Sequence, residues 1–474
     1  MCGVKTDVAI TNVKKKVDTI AILMLENRSY DHMFSFLSLN TAANPRPEID
    51  GITSLRKKEY ANVSATKTYQ PWITNDDPLV ADLPHSRDLV NVQLRGVASE
   101  TAPITMRGFV EAYRQEIGVG VVPSRAAPMS IQNKPWMMDY FAAHHTICSR
   151  WFAPLPADTQ PNRLMSLSGY TNYDTTQGRV ITQKPLVFDW LSQHRIRWRV
   201  YRSGLPFEML FEAMWDDVFD PEKFKSVKDL AIDVSEEADA TFPQVIFLEP
   251  AFSDSPITLG YQPNDDHPPT GITPGQQFMR EMYVALSSHP QRWAKTVMIV
   301  TYDEHGGFYD HVHPLAIATK PPNNSEWVGG AFGTTGVRVP GIIASPLAKE
   351  GVVYNQPLDH TSILQFIASV FGEEGETYSK DVDGRRDLGI GNIIDVLSDD
   401  PPRAKIPRPP EKVPPLTLPG PMKRARSEPE AITPKKSENA KAFENAANLV
   451  LEKFPREKIK ERYPELVHWE KTKK

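Results

Sequence analysis

The stretch VMIVTYDEHGGFYDHVHP, residues 297–314, begins as a strand and ends as a cluster of charged side chains. Its first four residues are apolar and mostly β-branched, which is typical of a buried parallel strand. Asp303 and Glu304 follow, and Gly306 and Gly307 then mark a turn. Successive strand residues point to opposite faces of a sheet. The two carboxylates can therefore meet one ligand only where the strand breaks into a loop.

The composition of the chain excludes some classes of function. The chain has 474 residues, of which 40% are hydrophobic and 24% charged, as is ordinary for a globular protein with a large core. A formal net charge of -5 argues against a general nucleic-acid binder, which needs a basic face. Cys2 and Cys148 lie too far apart in sequence to indicate a disulfide framework.

Neither an export signal nor a membrane span is expected from the sequence. The first residues lack the apolar core of a secretory signal. No stretch reaches the roughly 18 apolar residues of a membrane-spanning helix. The sequence therefore predicts a protein without a Sec signal peptide or transmembrane helix, which is cytoplasmic or exported by a non-Sec route. Any membrane contact would be peripheral.

Apolar runs of strand length recur along the chain and alternate with helix-like segments. The runs lie within 19–34, 243–252, 296–307 and 339–347, and helical segments lie within 188–203 and 275–290. Strands that alternate with helices predict an α/β fold with a parallel or mixed sheet. In such folds, polar residues at the carboxyl ends of strands line the ligand crevice. Glu26 and Asn27 occupy such a strand end.

Composition changes near residue 400. Residues 401–421 are rich in proline, which excludes a regular helix or a central strand. Beyond them, four apolar residues share one face of a predicted helix with an N-cap near Ser437: Phe443, Ala447, Val450 and Phe454. Two interpretations stay open, a linker or strap with a docking helix, or a tail that binds a partner or lipid. We place the domain boundary between 1–398 and 399–474.

The acidic pair at the end of the third apolar run suits a cation. Carboxylate oxygens favour Ca²⁺, Mg²⁺ or Mn²⁺, and the neighbouring histidines leave Zn²⁺ or Fe open. A surface turn with solvated charges would also explain Asp303 and Glu304. His311 and His313 share a strand face, and a lone H-x-H pattern is more typical of structural residues than of ligands.

A second region, WFAPLPADTQPNRLMSLSGY at 151–170, places a hydroxyl at a predicted helix start. Prolines fix the backbone around Thr159, and backbone N–H groups at a helix N-terminus favour an anion. A hydroxyl held there could attack phosphorus if a metal lowered its pKa. An N-cap threonine without any chemistry is the alternative.

Four blocks of the chain resemble, in order, the signature blocks of one family. They are ENRSYDHMF (26–34), DTQPNR (158–163), TYDEHGGFYDHV (301–312) and GVRVPGIIASP (336–346). The resemblance is to the phosphoesterase family, which holds bacterial and plant non-specific phospholipases C and related acid phosphatases. DDHPP (265–269) and LDHTSIL (358–364) resemble two further blocks. The resemblance covers roughly residues 17–395.

The resemblance implies an alkaline-phosphatase-like α/β fold, with a mixed, mostly parallel central sheet flanked by helices and a Pro-rich C-terminal extension. It makes residues 1–398 the catalytic domain of a metal-dependent phosphoester hydrolase. Thr159 would be the nucleophile. One divalent ion (Ca, Mg, Mn, Zn or Fe) would be held by five residues: Glu26, Asn27, Thr159, Asp303 and Glu304.

Histidines from other blocks would serve the phosphate. The resemblance implies that His85 and His267 contact phosphate or move protons to the leaving oxygen, and that His360 lies near the phosphate. His305, Asp310 and His311 also fall in family blocks. Asp310 and His311 could orient the metal ligands.

The expected substrate is the headgroup phosphodiester of a phospholipid. A phosphomonoesterase of the acid phosphatase type, and an idle relative that acts as a binding protein, are the alternatives. Sulfatase activity is a weaker option because nothing resembles a Cys- or Ser-based formylglycine motif. The chain departs from the family where Ser35 and Asp158 replace its usual glycines. Asp158 adds a negative charge beside the predicted nucleophile.

Overall fold

A computed structural model describes residues 12–76, 79, 82–257, 262–411 and 436–472. Their strands are β1 (Thr19–Leu25), β2 (Asn62–Ser64), β3 (Lys67–Tyr69), β4 (Trp72–Thr74), β5 (Ser130–Gln132), β6 (Thr146–Cys148), β7 (Trp151–Phe152), β8 (Trp198–Arg202), β9 (Phe224–Ser226), β10 (Val245–Glu249), β11 (Thr296–Tyr302), β12 (Gly341–Ala344), β13 (Val353–Tyr354) and β14 (Leu358–Asp359).

The α-helices of the same residues lie between and after these strands. They are α1 (Tyr30–Ser38), α2 (Arg87–Arg95), α3 (Phe109–Ile117), α4 (Trp136–His144), α5 (Thr159–Ser168), α6 (Val187–Gln193), α7 (Trp215–Val218), α8 (Leu230–Glu236), α9 (Thr273–Leu286), α10 (Pro290–Trp293), α11 (Thr361–Phe371), α12 (Lys380–Asp387), α13 (Glu438–Lys453), α14 (Arg456–Arg462) and α15 (Pro464–Thr472).

The central sheet has eight strands in the order β13-β6-β12-β11-β1-β10-β8-β9. β1 pairs in parallel with both β10 and β11, whereas β12 runs antiparallel to β11 and β6. Every residue of β1 and β11 is buried, so other elements cover both faces of the sheet at its centre. The predicted α/β fold with a mixed, mostly parallel sheet is therefore confirmed.

The predicted elements occur close to their expected places. The four apolar runs contain β1, β10, β11 and β12, and the segment 188–203 forms a helix followed by a strand. The helix expected at 275–290 begins earlier, at Thr273, with a proline in its first turn, and ends at Leu286. Proline favours the first turn of a helix because the N–H that it lacks would have no partner there.

The C-terminal extension packs on the rest of the chain. Ser437 caps α13 by accepting a hydrogen bond from Ala440, and Phe443, Ala447 and Val450 are buried in the main core. In the Pro-rich segment, the described residues 401–411 form neither helix nor strand, and the carbonyl of Pro407 accepts a hydrogen bond from Tyr140. The remainder of that segment, up to 421, lies outside the described residues, and the boundary at 398 stays a prediction.

None of the helices in the described ranges combines the length and the apolar character that crossing a bilayer requires.

Candidate active site

Two carboxylates meet at the centre of the sheet because their strands are neighbours in register. Leu25 pairs with Tyr302, so Glu26 and Asp303 leave the carboxyl ends of β1 and β11 side by side. Both side chains are fully buried. The predicted crevice therefore lies at this edge, and it holds the acidic residues that the sequence placed there.

A tight backbone contact brings the next residue of each loop into the same place. Asn27 adopts a left-handed conformation with φ 61°, which is uncommon for a residue other than glycine. A Cβ atom on Gly306 would lie 2.2 Å from the Asn27 carbonyl oxygen, so only glycine allows this approach. The N–H groups of Asn27 and Glu304 both donate to Asp303 Oδ1, at 3.2 and 2.7 Å. These contacts fix the two loops against each other.

Thr159 is the first residue of helix α5, as predicted, and is buried. Asn162 shapes the preceding loop, since its side chain accepts from the Leu155 N–H and donates to the carbonyls of Ala157 and Asp158. None of the hydrogen bonds among the described residues uses the Thr159 hydroxyl. A fixed backbone therefore presents an uncommitted hydroxyl.

Asp158, the residue that departs from the family pattern, is tied down by the loop across the site. Its carboxylate accepts the N–H of Thr176 at 2.9 Å instead of capping α5. Burial raises the pKa of Asp158 to about 6, Thr176 and His85 oppose this rise, and Glu304 adds to it. The electrostatic influence of His85 and Glu304 indicates that the Asp158 carboxylate lies near both residues.

The predicted metal ligands carry buried polar atoms without hydrogen-bond partners among the described residues. These atoms are both carboxylate oxygens of Glu26, Oδ1 and Nδ2 of Asn27, Oδ2 of Asp303 and Oε1 of Glu304. Burial raises the pKa of Glu26 well above its usual range and that of Asp303 to about 7, although Arg163 opposes both. A buried carboxylate without hydrogen bonds is costly, and a divalent cation would lower that cost. The donor chemistry of these residues therefore suits the predicted ion. Among the described residues, however, Glu26 shares a close group of possible ligand atoms, all within 4.8 Å, with Asp254 and His267, and no such group of three contains Asp303 or Glu304.

Arg163 is a site residue to which the sequence gave no role. It lies one helical turn after Thr159, with Nη2 3.2 Å from Glu26 Oε1 and Nε 3.6 Å from Asp303 Oδ2. These are ion pairs without hydrogen-bond geometry. The rings of Phe207 and Phe252 lie about the guanidinium, at 5.0 and 4.9 Å. Its spacing of four residues from Thr159 on one helix face was the available signal.

His85 and His267 face each other, with ring centroids 5.8 Å apart. Each ring donates from Nδ1 to a carbonyl, of Leu83 at 2.7 Å and of Pro268 at 2.5 Å, which leaves Nε2 for another partner. His267 Nε2 is buried without a hydrogen-bond partner in the described part of the chain.

Carboxylates keep both rings cationic. Burial lowers the pKa of His85, but Asp82 and Glu304 outweigh it and raise the pKa to about 9. In the same way, Asp82 and Asp254 hold the pKa of His267 well above its usual range against the effect of burial. Two imidazolium groups suit an anionic ligand. Asp82 and Asp254 were missed by the sequence interpretation, because neither follows a strand nor forms a motif.

His360 and His305 lie behind the predicted ligands. His360 donates from Nε2 to the Asp303 carbonyl at 2.7 Å, and its Nδ1 accepts the indole N–H of Trp151. Burial lowers the pKa of His360 to about 4, so the ring is neutral with both nitrogens engaged. Its contact with substrate stays a prediction that these bonds do not favour. His305 lies 3.2 Å from Glu304 Oε2 and bonds to Gln93.

Asp310 and His311 belong to a different cluster and do not contact the predicted ligands. The buried Arg338 donates to Asp310 Oδ1 at 2.9 Å and to Asp31 Oδ1 at 3.3 Å. His311 donates from its ring and its backbone N–H to Asp31 Oδ2, each at 2.7 Å. The idea that Asp310 and His311 orient the metal ligands is therefore replaced by a role in this paired cluster.

The C-terminal extension reaches the edge of the site. The Ser437 hydroxyl donates to Asp254 Oδ1 at 2.9 Å, and Asn439 Oδ1 accepts from Gln160 Nε2 at 3.2 Å. Asp254 influences His267, and Gln160 follows Thr159 in the chain. The extension thus contacts Gln160 of one family block and the carboxylate of Asp254 that influences His267.

Comparisons with known proteins identify the family of the chain. The model of the phosphoesterase family matches residues 17–373. Non-specific phospholipase C6 of Arabidopsis thaliana is 29% identical over 403 residues, which are 81% of this chain and 72% of that protein. Non-hemolytic phospholipase C of Burkholderia pseudomallei (strain K96243) is 25% identical over 85% of this chain and 62% of its own length.

Among solved structures, the chain is similar to a protein in the alkaline phosphatase superfamily from Vibrio parahaemolyticus. The TM-score is 0.27 at 11% identity, and the match covers 50% of this chain and 60% of that protein.

Proposed function

The chain belongs to the phosphoesterase family, and from this premise we propose that it cleaves the headgroup phosphodiester of phospholipids with Thr159 as nucleophile and one divalent ion as cofactor. Its phospholipase C relatives indicate the broader class, a phosphoric ester hydrolase. The finer assignment of substrate, nucleophile and metal is argued from the buried polar atoms and charged residues around Thr159, Glu26 and Asp303.

The observation that carries the proposal is the group of buried oxygen atoms without partners at the ends of β1 and β11. Glu26, Asn27, Asp303 and Glu304, together with Thr159, would hold the ion. These donors are oxygen-rich, as Ca²⁺, Mg²⁺ and Mn²⁺ prefer. When bound, such an ion supplies positive charge that lowers the pKa of a nearby hydroxyl and offsets the charge of a phosphate.

The residues of the chain would carry the reaction in two steps. With its pKa lowered by the ion, the Thr159 hydroxyl would lose its proton to solvent, and its oxygen would attack phosphorus as the bond from phosphorus to the diacylglycerol oxygen breaks. His267 or His85 donates a proton from Nε2 to that leaving oxygen, and the other cationic ring binds a phosphate oxygen. The ring that has become neutral then accepts a proton from water, whose oxygen attacks phosphorus. The bond from phosphorus to Thr159 breaks, the phosphorylated headgroup leaves, and the Thr159 oxygen and the imidazolium are restored. The helix N-terminus at Thr159 favours the anion throughout.

One carboxylate beside Thr159 counts against a second negative charge on the substrate. A phosphodiester carries one negative charge, and a phosphomonoester approaches two at neutral pH. Asp158, whose pKa is about 6, would repel the dianion more strongly, whereas the cationic rings of His85 and His267 would attract it. An idle binding protein has no need for this set of buried ligand atoms without hydrogen-bond partners. Because its relatives are phospholipases C, we prefer that activity to both alternatives.

A substrate screen with and without chelator tests the proposal. The purified protein is assayed on phosphatidylcholine, phosphatidylglycerol and p-nitrophenyl phosphate, and its metal content is measured in parallel. We expect cleavage of at least one phospholipid, loss of activity after chelation and recovery with one divalent ion. Full activity of a demonstrably metal-free protein would refute the metal assignment, and activity on the monoester alone would refute the substrate assignment.

A further inference from the structure

A loop with an apolar, uncharged tip lies exposed in the region that follows the acidic strand end. We define the rim loop as residues 326–332, and the stretch WVGGAFGTTG from 327 onward contains no charged residue. Val328 is 82% exposed, the largest value among the big hydrophobic side chains of the described residues. Its neighbours 329–331 are also exposed and offer only glycine and alanine to solvent. An exposed apolar tip of this kind marks an interaction site.

The rim loop is anchored beside the predicted nucleophile. Phe332 and Trp327 pack against Leu155 and Ala157, which lie shortly before Thr159 in the chain. The N–H groups of residues 328 and 329 donate to the carboxylate of Asp174, at 3.0 and 2.8 Å. The base of the loop is thus rigid, and its tip projects next to the helix start that presents the hydroxyl.

A second apolar turn lies on the same rim. Val97 is 52% exposed in the turn that follows helix α2. Arg87, two residues after His85, donates to Glu100 Oε1 and to the Gly330 carbonyl, both at 2.8 Å. One buried guanidinium therefore joins the rim loop, the turn at 96–100 and the segment that carries His85. Both valines thus lie in segments that Arg87 ties to the start of helix α2, two residues after His85.

Most charges around these tips are paired. Glu100 pairs with Arg87, and Glu326 in the rim loop pairs with Arg179. Arg95 beside the turn at 96–100 and Lys320 beside the rim loop have no ion pair among the described residues. The rim therefore offers only a small excess of cations to anionic lipids, and attachment through it would depend mainly on apolar contact.

We propose that the rim loop and the turn at 96–100 dock the protein on a zwitterionic phospholipid membrane, with Val328 and Val97 inserted among the lipids at the pocket entrance. The inference rests on the proposed phospholipase activity and deepens it, because it names the physical form in which the substrate is met. Apolar side chains favour transfer from water to lipid, and glycines let the tip adapt to the surface.

The test compares full-length variants of equal charge change. Val328→Asp and Val97→Asp alter the two tips. Ile232→Asp is the control, because Ile232 is also β-branched and 54% exposed but lies on helix α8. Binding to phosphatidylcholine vesicles is measured by co-sedimentation in a Thr159→Ala background, so that lipid is not consumed. Hydrolysis is measured with the same rim substitutions in proteins that keep Thr159, on the same vesicles and on soluble p-nitrophenylphosphorylcholine.

We expect Val328→Asp to lower vesicle binding and vesicle hydrolysis by at least ~10-fold, since a buried charge replaces an apolar contact. Val97→Asp should show a smaller loss, and Ile232→Asp none. Hydrolysis of the soluble diester should stay within about twofold, and salt should not weaken binding. Equal behaviour of Val328→Asp and Ile232→Asp, equal losses on both substrates, or binding that requires anionic lipid would overturn the docking surface.

The two proposals fail in different ways. If the unmodified protein cleaves neither substrate, the phospholipase assignment fails, while co-sedimentation still decides the docking surface. If the protein cleaves the soluble diester but never associates with phosphatidylcholine vesicles, the docking surface fails and the chemistry stands.

Discussion

Two buried ionic clusters, separated by a few residues of one loop, have opposite hydrogen-bonding. The open cluster of Glu26, Asp303 and Glu304 leaves oxygen atoms without partners, even though Arg163 lies beside it. The paired cluster of Asp31, Asp310, His311 and Arg338 leaves none of its buried polar atoms without a partner among the described residues.

The difference separates chemistry from architecture. Both clusters contain carboxylates and an arginine, so residue types alone do not distinguish them. A folded chain tolerates unsatisfied buried carboxylates only where something else compensates them, and at the open cluster a cation would do so. The paired cluster already contains its own cation, Arg338, which compensates Asp31 and Asp310, although the ligand atoms of Asp31, Asp310 and His311 also lie within 4.8 Å of one another.

The largest expected effect on turnover comes from removing a hydroxyl group near each cluster, that of Thr159 near the open cluster and that of Ser35 near the paired cluster. Thr159→Ala should lower kcat by at least ~10³-fold, or about 4 kcal/mol of barrier, because it removes the attacking oxygen. Thr159→Ser should keep partial activity. Incubation with substrate should leave phosphate on the peptide containing residues 151–163, detected by mass spectrometry.

The matched control is the hydroxyl of Ser35, which donates to Asp31 Oδ1 at 3.0 Å in the paired cluster. Ser35→Ala should cost about 1 kcal/mol of stability and leave kcat unchanged. Wild-type turnover in Thr159→Ala would show that another group is the nucleophile, and the assignment of the chemistry to Thr159 and the open cluster would be wrong.

A second prediction applies one substitution to both clusters and expects different effects on stability. Asp310→Asn breaks a satisfied pair with Arg338 and should lower the free energy of unfolding by about 3 kcal/mol. Asp303→Asn removes a carboxylate whose burial raises its pKa to about 7, so the metal-free protein should lose less than about 1 kcal/mol or gain stability. Denaturant titration in the presence of chelator measures both.

Metal binding supplies the complementary readout. Asp303→Asn should weaken binding of the divalent ion in calorimetry, whereas Asp310→Asn should leave it unchanged in the folded protein. Equal destabilisation by the two substitutions would show that the open cluster is as well satisfied as the paired one.

A third prediction tests the backbone contact that builds the open cluster. Gly306→Ala places a Cβ atom against Asn27 and should lower kcat about 100-fold, as a small displacement of ligands does. Gly375 also has a positive φ, of 78°, but no atom would meet its Cβ within 4 Å. Gly375→Ala should therefore cost about 1 kcal/mol of stability, without loss of kcat. Similar kcat values for the two variants would contradict the role of the close approach.

The sequence predicted the parts of the site that follow from local pattern. Glu26 and Asp303 follow apolar strands directly, and Thr159 follows a proline-fixed turn into a helix. Their placement at strand ends and at a helix start agrees with the structure. Their roles as ligands and nucleophile come from the family resemblance and stay proposals.

The other site residues are placed by tertiary contacts, which a local sequence pattern does not reveal. Arg163 is in the site because it pairs with Glu26, which lies far away in sequence. Asp254 is there because it lies beside His267 and accepts a hydrogen bond from Ser437. The sequence also grouped Asp310 with Asp303 because they share one block. The partner that separates them, Arg338, is supplied by a later segment that the sequence could not position.

The smallest predicted effect is the pH dependence of the paired cluster. Burial lowers the pKa of His311, but Asp31 and Asp50 outweigh it and raise the pKa to about 10. The folded-state pKa of His311 lies above the unfolded value of about 6.5. The stabilisation of the fold by protonated His311 is therefore fully present below pH 6.5 and is lost as pH rises through about 10. Between pH 6 and pH 10, the free energy of unfolding should fall by about 1 kcal/mol more in the wild type than in His311→Gln. This value is reduced for the partial exposure of the ring. An equal fall in both proteins would show that Arg338 alone compensates Asp31 and Asp310.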